Sequence, residues 1–229
     1  MAMYVGPIRY KQMGIRGLWQ AIKNSSSTKP QKFDAIIVDG TMLVINFSMP
    51  IRHLSRDVFA DVLQRTFNKR IHDLCTRLKS PDDVASLIFV FDPSEKPSKK
   101  IRPRQKLVGL PIYTFDIFEE LMQAAGVTVV VAPDGHEADD EMAAICNDQR
   151  TDANANTIVY TEDSDLLCLV PAVMRFDFSI WLLDDILRDL NITKNIFLAA
   201  CDMAANDYND STMTFARALS IVNKWSMDH

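Results

Sequence analysis

Acidic residues carry the most specific pattern in this chain. Asp39 closes the run DAIIVD at 34–39, and Asp92 closes SLIFVFD at 86–92. A third apolar run, VTVVV at 127–131, leads through a short loop into Glu137, Asp139 and Asp140. A fourth, TIVYT at 157–161, is followed at once by Glu162, Asp163, Ser164 and Asp165. Carboxylates gathered at that density repel one another and push each other's pKa values upward. Divalent cations resolve the repulsion, and hard oxygen donors without His or Cys suit Mg²⁺ or Mn²⁺ rather than zinc. Two such ions about 4 Å apart are suited to phosphodiester hydrolysis. Any one of Glu137, Asp163 or Asp165 is explained equally well as an acid capping a helix N-terminus. That explanation is not expected to cover Asp39 and Asp92, which end apolar strands.

The elements that must position these acids alternate. The short β-branched runs at 34–39, 86–92, 127–131 and 157–161 read as strands, with a further strand at 172–178. Helical spacing of apolar residues is clear at 57–78 (Val58, Val62, Leu63, Phe67, Ile71, Leu74, Leu78), and helices are also predicted at 114–125 and 137–148. Met42–Phe47 reads as a buried helix following Asp39, and segments near 184–190, 193–205 and 212–225 read as helical. Phe115 and Phe118 are expected in the core of the 114–125 helix. Trp181 and Trp225 are expected in the core or facing a partner. Residues 24–32 and 93–111 read as loops. Strands alternating with helices predict an α/β fold with a mostly parallel sheet covered on both faces. In such sheets the functional crevice lies at the carboxyl ends of the strands, which is where all four acid-bearing ends fall.

Composition narrows the class without naming it. With 229 residues, 48% apolar and 24% charged, the chain suits one globular domain. No apolar run reaches the length of a membrane span, and no signal-peptide core precedes Lys11, so an intracellular protein is expected. The four cysteines form no C-x-x-C pair, which argues against a zinc site or a disulfide framework. The net charge of −5 divides unevenly: residues 1–133 carry +7 and residues 134–229 carry −12. A basic half beside an acidic half suggests a polyanionic partner, bound cations, or both.

The motifs resemble the flap endonuclease/XPG family of 5′ nucleases. Met13–Trp19 (MGIRGLW) is similar to the family's M-G-I-x-G-L opening, and Ile37–Asp39 and Phe89–Asp92 to its first two acidic strand ends. Ala132–Pro133 followed by Glu137–Asp140 (EADD) resembles the third motif, and is closer to the E-A-D-D of bacterial, phage and herpesvirus host-shutoff members. Thr161–Leu167 (TEDSDLL) matches the T-E-D-x-D motif, and Ala200–Tyr208 aligns with the last, making Asp207 the counterpart acid and Asp202 an extra one. The resemblance spans about residues 13–225 and implies a PIN-like 5′ nuclease domain over 13–229, preceded by an extension at 1–12. It implies a metal-dependent hydrolase binding two Mg²⁺, with Mn²⁺ as substitute. Asp39, Asp92, Glu137 and Asp139 would serve one ion, and Asp163, Asp165 and Asp207 the other. No side chain need act as nucleophile, and Asp140 would stand behind the ligands or, as that position can in E-A-D-D members, serve as one.

The same resemblance sets expectations for the substrate. A helical arch follows the second acid in the family; here about 34 residues separate Asp92 from Gly126, which leaves a shortened basic connector at 93–111. Its Lys96, Arg102, Arg104 and Lys106 are candidates for phosphate contact, although such a run is also what a solvated loop looks like. Lys99 or Lys100 best fits the arch lysine that helps position the scissile phosphate. His136, beside the acids, reads as a structural turn residue. Residues 209–219 contain no glycine where the family has a glycine-rich, duplex-gripping turn. The implied activity is structure-selective endonuclease cleavage of DNA at a flap or 5′ end, in DNA repair or replication. The nucleus is the favoured location, the cytoplasm the alternative, and the protein is expected to be a monomer without a clamp-binding tail. An RNA endonuclease of host-shutoff type is the alternative enzyme, and a catalytically silent nucleic-acid-binding scaffold the alternative from another class.

Overall fold

The computed structural model describes residues 14–27, 31–93, 109–149, 156–206 and 211–227. Among them are strands β1 (Ser26–Ser27), β2 (Ala35–Asp39), β3 (Leu87–Phe91), β4 (Thr128–Val131), β5 (Thr157–Tyr160), β6 (Ala172–Met174) and β7 (Ile180–Leu182). They form one sheet in the order β1-β7-β6-β5-β2-β3-β4. The five strands from β6 to β4 are parallel, and β7 and β1 extend the sheet antiparallel. The chain first builds outward from β2 through β3 to β4, then crosses to the other side of β2 to lay down β5 and β6. The switch point therefore lies between β2 and β5, where Asp39 and the turn after Tyr160 meet.

Helices α1 (Leu18–Ala21), α2 (Gly40–Ser48), α3 (Arg56–Cys75), α4 (Thr114–Ala125), α5 (Ala138–Gln149), α6 (Leu183–Leu190), α7 (Lys194–Met203) and α8 (Phe215–Met227) cover the two faces. Alternation along each strand sorts its side chains between two cores. Ile36, Val38, Leu87, Phe89, Ile158 and Tyr160 pack with α2, α3 and α4. Ile37, Ile88, Val90 and Val159 pack with α1, α5, α7 and α8. The period of two then places Asp39, Asp92 and Thr161 on the second side, the side on which α5 brings in its N-terminus.

The four acid-bearing strands, the long helix and the 114–125 helix lie where the sequence puts them, with ends shifted by a few residues at most. The strand predicted at 172–178 is a correction. It stops at Met174, and the chain reverses through a tight turn in which Arg175 N donates to Ser179 O at 2.9 Å and Asp177 Oδ1 accepts from Ser179 N at 3.0 Å. Phe178 takes φ 65° there, and the return strand is β7. The loop read at 24–32 likewise holds β1, too short to show a period, paired with Ile180 and Trp181. Phe115 is a second correction: the buried stripe of α4 runs Thr114, Ile117, Phe118, Met122, and Phe115 falls off it at 41% exposure. Phe118 is core, with its ring edge-on to Phe67. Trp181 is buried, whereas Trp225 is 65% exposed. None of the four cysteines is joined in a disulfide. Among the described residues no helix is long and apolar enough to cross a membrane.

Candidate functional site

Asp39 is the centre of the acidic edge. It is 4% exposed, and both of its carboxylate oxygens are engaged. Met42 N donates to Oδ1 at 2.9 Å, and Thr161 Oγ1 donates to Oδ2 at 2.9 Å. The first contact makes Asp39 the cap of α2, so the capping explanation applies where the sequence did not lead us to expect it. The cap does not neutralise the group. Burial pushes its pKa up to about 7 against the two hydrogen bonds, and the charged neighbours acting on it, Asp163 and Asp92, are both acids that push the same way.

The surrounding acids are held by main-chain geometry. Thr161, directly after β5, links two of them: its hydroxyl donates to Asp39 and accepts from Asp163 N at 3.0 Å. Asp163 Oδ1 in turn accepts from Asp165 N at 2.9 Å, closing a local turn that opens a short helical segment at Asp165–Cys168. Asp163 is 4% exposed, and Asp165 is half-buried. Asp92, just past β3, is tied to α2 through its own N–H, which donates to Thr41 Oγ1 at 3.2 Å. Its Oδ1 accepts from Ala138 N at 3.4 Å, which sets it at the start of α5. Glu137 is 5% exposed immediately before α5, Asp139 is half-buried in its first turn, and Asp140 is exposed beside them. His136 is exposed in the preceding turn.

Gly14 closes the site from the N-terminal side. Its φ is +84°, and a Cβ there would collide with Asp163 Oδ1 and Ser164 Oγ. Ile15 N donates to Ser164 Oγ at 2.8 Å, so the opening segment is stitched to the acid-bearing turn. Gly40, the first residue of α2, is equally tight: a Cβ would run into the Phe91 ring, one residue before Asp92. Thr161, Gly40 and Ser164 were not singled out by sequence reasoning. Thr161 was visible only as the first letter of its motif, and Gly40 only as the residue after an acid.

The structure thus brings Asp39, Asp92, Glu137, Asp139, Asp163 and Asp165 to one edge of one sheet. Asp207 and the basic set Lys96, Lys99, Lys100, Arg102, Arg104 and Lys106 lie outside the described residues, as do Met13 and the extension at 1–12. Asp202 is exposed on α7. Among the described residues no group of three or more His, Cys, Asp or Glu side chains is already arranged to hold a metal ion. The donor chemistry nevertheless fits a hard cation: a carboxyl raised first by burial and further by two neighbouring acids, flanked by oxygen donors and with no thiol or imidazole among them.

Sheet order, switch point and acidic edge define a PIN-like α/β fold of the 5′ nuclease type. Solved structures with this fold confirm the assignment at low sequence identity. The chain is similar to the catalytic core of Rad2 in complex with DNA substrate, at 16% identity and a TM-score of 0.68, over 93% of this chain and 68% of that one. It is similar to flap endonuclease-1 from Methanococcus jannaschii at 19% identity and TM-score 0.60, over 86% and 73% of the two chains. It is also similar to the T5 D15 protein co-crystallised with metal ions, at 15% identity and TM-score 0.55, over 83% and 74%. No protein-family model matches the chain, and no curated protein matches it by sequence.

Proposed function

We propose that this protein is a Mg²⁺-dependent, structure-selective nuclease that hydrolyses phosphodiester bonds of DNA, acting inside the cell on nuclear DNA in repair or replication. One observation carries the reading: four parallel strand ends deliver acids to the switch point of the sheet, and the central one, Asp39, is buried with acids as its charged neighbours among the described residues. Carboxyls perturbed by burial and by like-charged neighbours cluster at functional sites. The fold shared with the DNA-bound Rad2 core supports nucleic acid as the ligand.

Asp39, Asp92, Glu137 and Asp139 would hold one ion, and Asp163, Asp165 and Asp207 a second. When bound, the ions supply charge stabilisation at the phosphate and an activated water. The chain's own contribution is positional. Thr161 keeps the carboxyls of Asp39 and the backbone of Asp163 in one hydrogen-bonded unit, and the Met42 contact fixes the rotamer of Asp39. Gly14 lets the N-terminal segment lie against Asp163, which excludes solvent from that side. Lys99 or Lys100 would orient the scissile phosphate, with Lys96, Arg102, Arg104 and Lys106 contacting the backbone.

A second reading, RNA endonuclease cleavage, is favoured by one feature: residues 209–219 have no glycine with which to bring backbone amides close to duplex DNA. Both readings are tested with end-labelled substrates in Mg²⁺ and in Mn²⁺, comparing a 5′-flap DNA, a single-stranded RNA and a hairpin RNA, with Asp163→Ala as control. Metal-dependent cutting of the flap that is lost in D163A is the expected result. Cutting of RNA alone would replace DNA by RNA as substrate. Binding without cleavage in either metal would overturn the enzyme reading in favour of a nucleic-acid-binding scaffold.

A further inference from the structure

Glu162 sits between Thr161 and Asp163, yet its carboxylate turns away from the acidic edge. Oε1 accepts from Phe176 N at 2.9 Å. Oε2 accepts from Arg175 Nε at 2.9 Å and pairs with Arg175 Nη2. Its backbone oxygen accepts from Trp19 Nε1 at 3.1 Å. The Arg175 guanidinium lies 5.3 Å from the Trp19 ring centroid and 5.8 Å from that of Trp181, and the two rings are 4.9 Å apart. Every polar atom of Glu162 beyond its own N–H is therefore held by α1 or by the turn between β6 and β7.

From this arrangement we infer that Arg175 is a positioning residue: through Glu162 it sets the rotation of the Thr161–Asp165 turn and so directs Asp163 and Asp165 to the acidic edge. The inference rests on the metal-binding reading for its consequence, though not for its geometry. The Thr161 hydroxyl holds Asp163 N from the side of the acidic edge while Arg175 and Phe176 hold the Glu162 carboxylate away from it, so pinning Glu162 fixes how the turn presents Asp163. A guanidinium that donates twice to one carboxylate oxygen and lies over two indole rings resists rotation in a way a lysine cannot match. Without Arg175, a carboxylate next in sequence to Asp163 loses its counter-charge, and its easiest relief is to compete for the same cation as the edge acids. Arg70 also acts on Glu162 electrostatically, but its own guanidinium is committed to Phe176 O at 2.7 Å and is enclosed by Phe47, Tyr160 and Phe178, so it cannot take over.

The test uses the full chain and two readouts besides cleavage. Amide hydrogen exchange at Asp163 and Asp165 reports the turn directly, since these N–H groups donate within it. Mn²⁺ binding, followed by electron paramagnetic resonance, reports the edge. In Arg175→Met we expect exchange at those two amides to rise about tenfold or more while amides of β2 and β3 keep their protection, and Mn²⁺ affinity to fall about tenfold. Arg175→Lys should recover part of both effects. E162Q/R175M should be no worse than R175M, because the two residues act as one unit. Arg188→Met, which removes an exposed ion pair to Asp185, is the control and should change neither readout. Unchanged amides and Mn²⁺ affinity in R175M, a rise in exchange spread evenly over the sheet, or additive effects in the double variant would each overturn the inference. If the unmodified protein neither binds Mn²⁺ nor cleaves nucleic acid, the nuclease reading fails while the exchange result still decides the role of Arg175.

Discussion

Strand β2 has an aspartate at each end, Asp34 immediately before it and Asp39 as its last residue, and the fold treats them in opposite ways. Asp34 Oδ2 accepts from Asn156 N at 2.6 Å and pairs with Lys79 Nζ at 3.0 Å, and these partners lower its pKa. Asp39 is buried, has acids for charged neighbours, and is raised to about 7. Five residues of the same strand therefore join a carboxylate that contributes to stability and one held against it. The first closes a structural edge, and on the proposed reading the second marks where an external positive charge belongs.

The largest expected break in this comparison is the pair Asp39→Asn and Asp34→Asn. On the proposed reading, D39N should lower metal-dependent cleavage on the order of 10³-fold, since it removes a ligand charge while leaving the cap to Met42 N available. The metal-free protein should be no less stable than wild type at pH 8, because an uncompensated buried charge is gone. D34N should do the reverse, with normal turnover per folded molecule and a lower midpoint in thermal unfolding. Parallel turnover and melting measurements decide it; equal effects of the two variants on turnover would refute the distinction.

The two acids also pull the pH dependence of stability in opposite directions. Asp39 is raised, so the folded state holds a proton that the unfolded chain has released; stability is lost as pH climbs from about 4 through about 7. Asp34 is lowered, so its contribution is present above its unfolded value and is lost on acidification. In EDTA the melting midpoint should fall by roughly 5–10 °C between pH 5 and pH 8. Mg²⁺ should remove most of that fall, and D39N should flatten it without metal. A midpoint that rises across this window in EDTA would show that Asp39 has a counter-charge after all.

Thr161→Val sharpens the comparison at the functional end. The substitution keeps shape but deletes the hydroxyl shared by Asp39 and Asp163 N. A buried N–H and a buried carboxylate oxygen each lose a partner, which should cost about 1–3 kcal/mol in urea unfolding. Cleavage should fall on the order of tenfold, with little change in the concentration of substrate at half-saturation. Loss of substrate binding instead of turnover would place Thr161 at the nucleic-acid surface and not within the acid cluster.

Much of this was legible in the sequence because both periods are strong. The runs ending in Asp39, Asp92 and Tyr160 are β-branched and apolar throughout, and parallel strands buried on both faces admit little else. Strand ends then carried the acids in order. What escaped is what pattern cannot encode. Phe178 reverses the chain at a position whose residue type gives no turn signal, so the strand was carried on to 178 and β7 was not read. The two residues of β1 are too few to show alternation. Phe115 and Phe118 are chemically alike, and only the helix phase separates the exposed ring from the buried one. The cap made by Asp39 and the turning away of Glu162 are matters of side-chain direction, settled by Met42 and Arg175, three and thirteen residues along the chain.

The smallest expected effect belongs to the structural end, and it tests whether Asp34 is as ordinary as the comparison makes it. Lys79→Met removes the ion pair but leaves the Asn156 N–H bond, which is the larger cause of the lowered pKa. Both partners are substantially exposed, so solvent and salt screen the pair, and such pairs contribute about 0–1 kcal/mol. The midpoint at pH 7 and low salt should therefore drop by no more than about 1–3 °C. The difference from wild type should shrink in 0.5 M NaCl and shrink again on acidification, as Asp34 takes up its proton. The opposite dependence on cations is the useful signature: K79M should respond to monovalent salt and be indifferent to millimolar Mg²⁺, while the edge around Asp39 should respond to Mg²⁺ far more strongly than to salt. If the K79M difference instead tracked Mg²⁺, the two ends of β2 would be coupled through the strand, and the division between a structural and a functional aspartate would not hold.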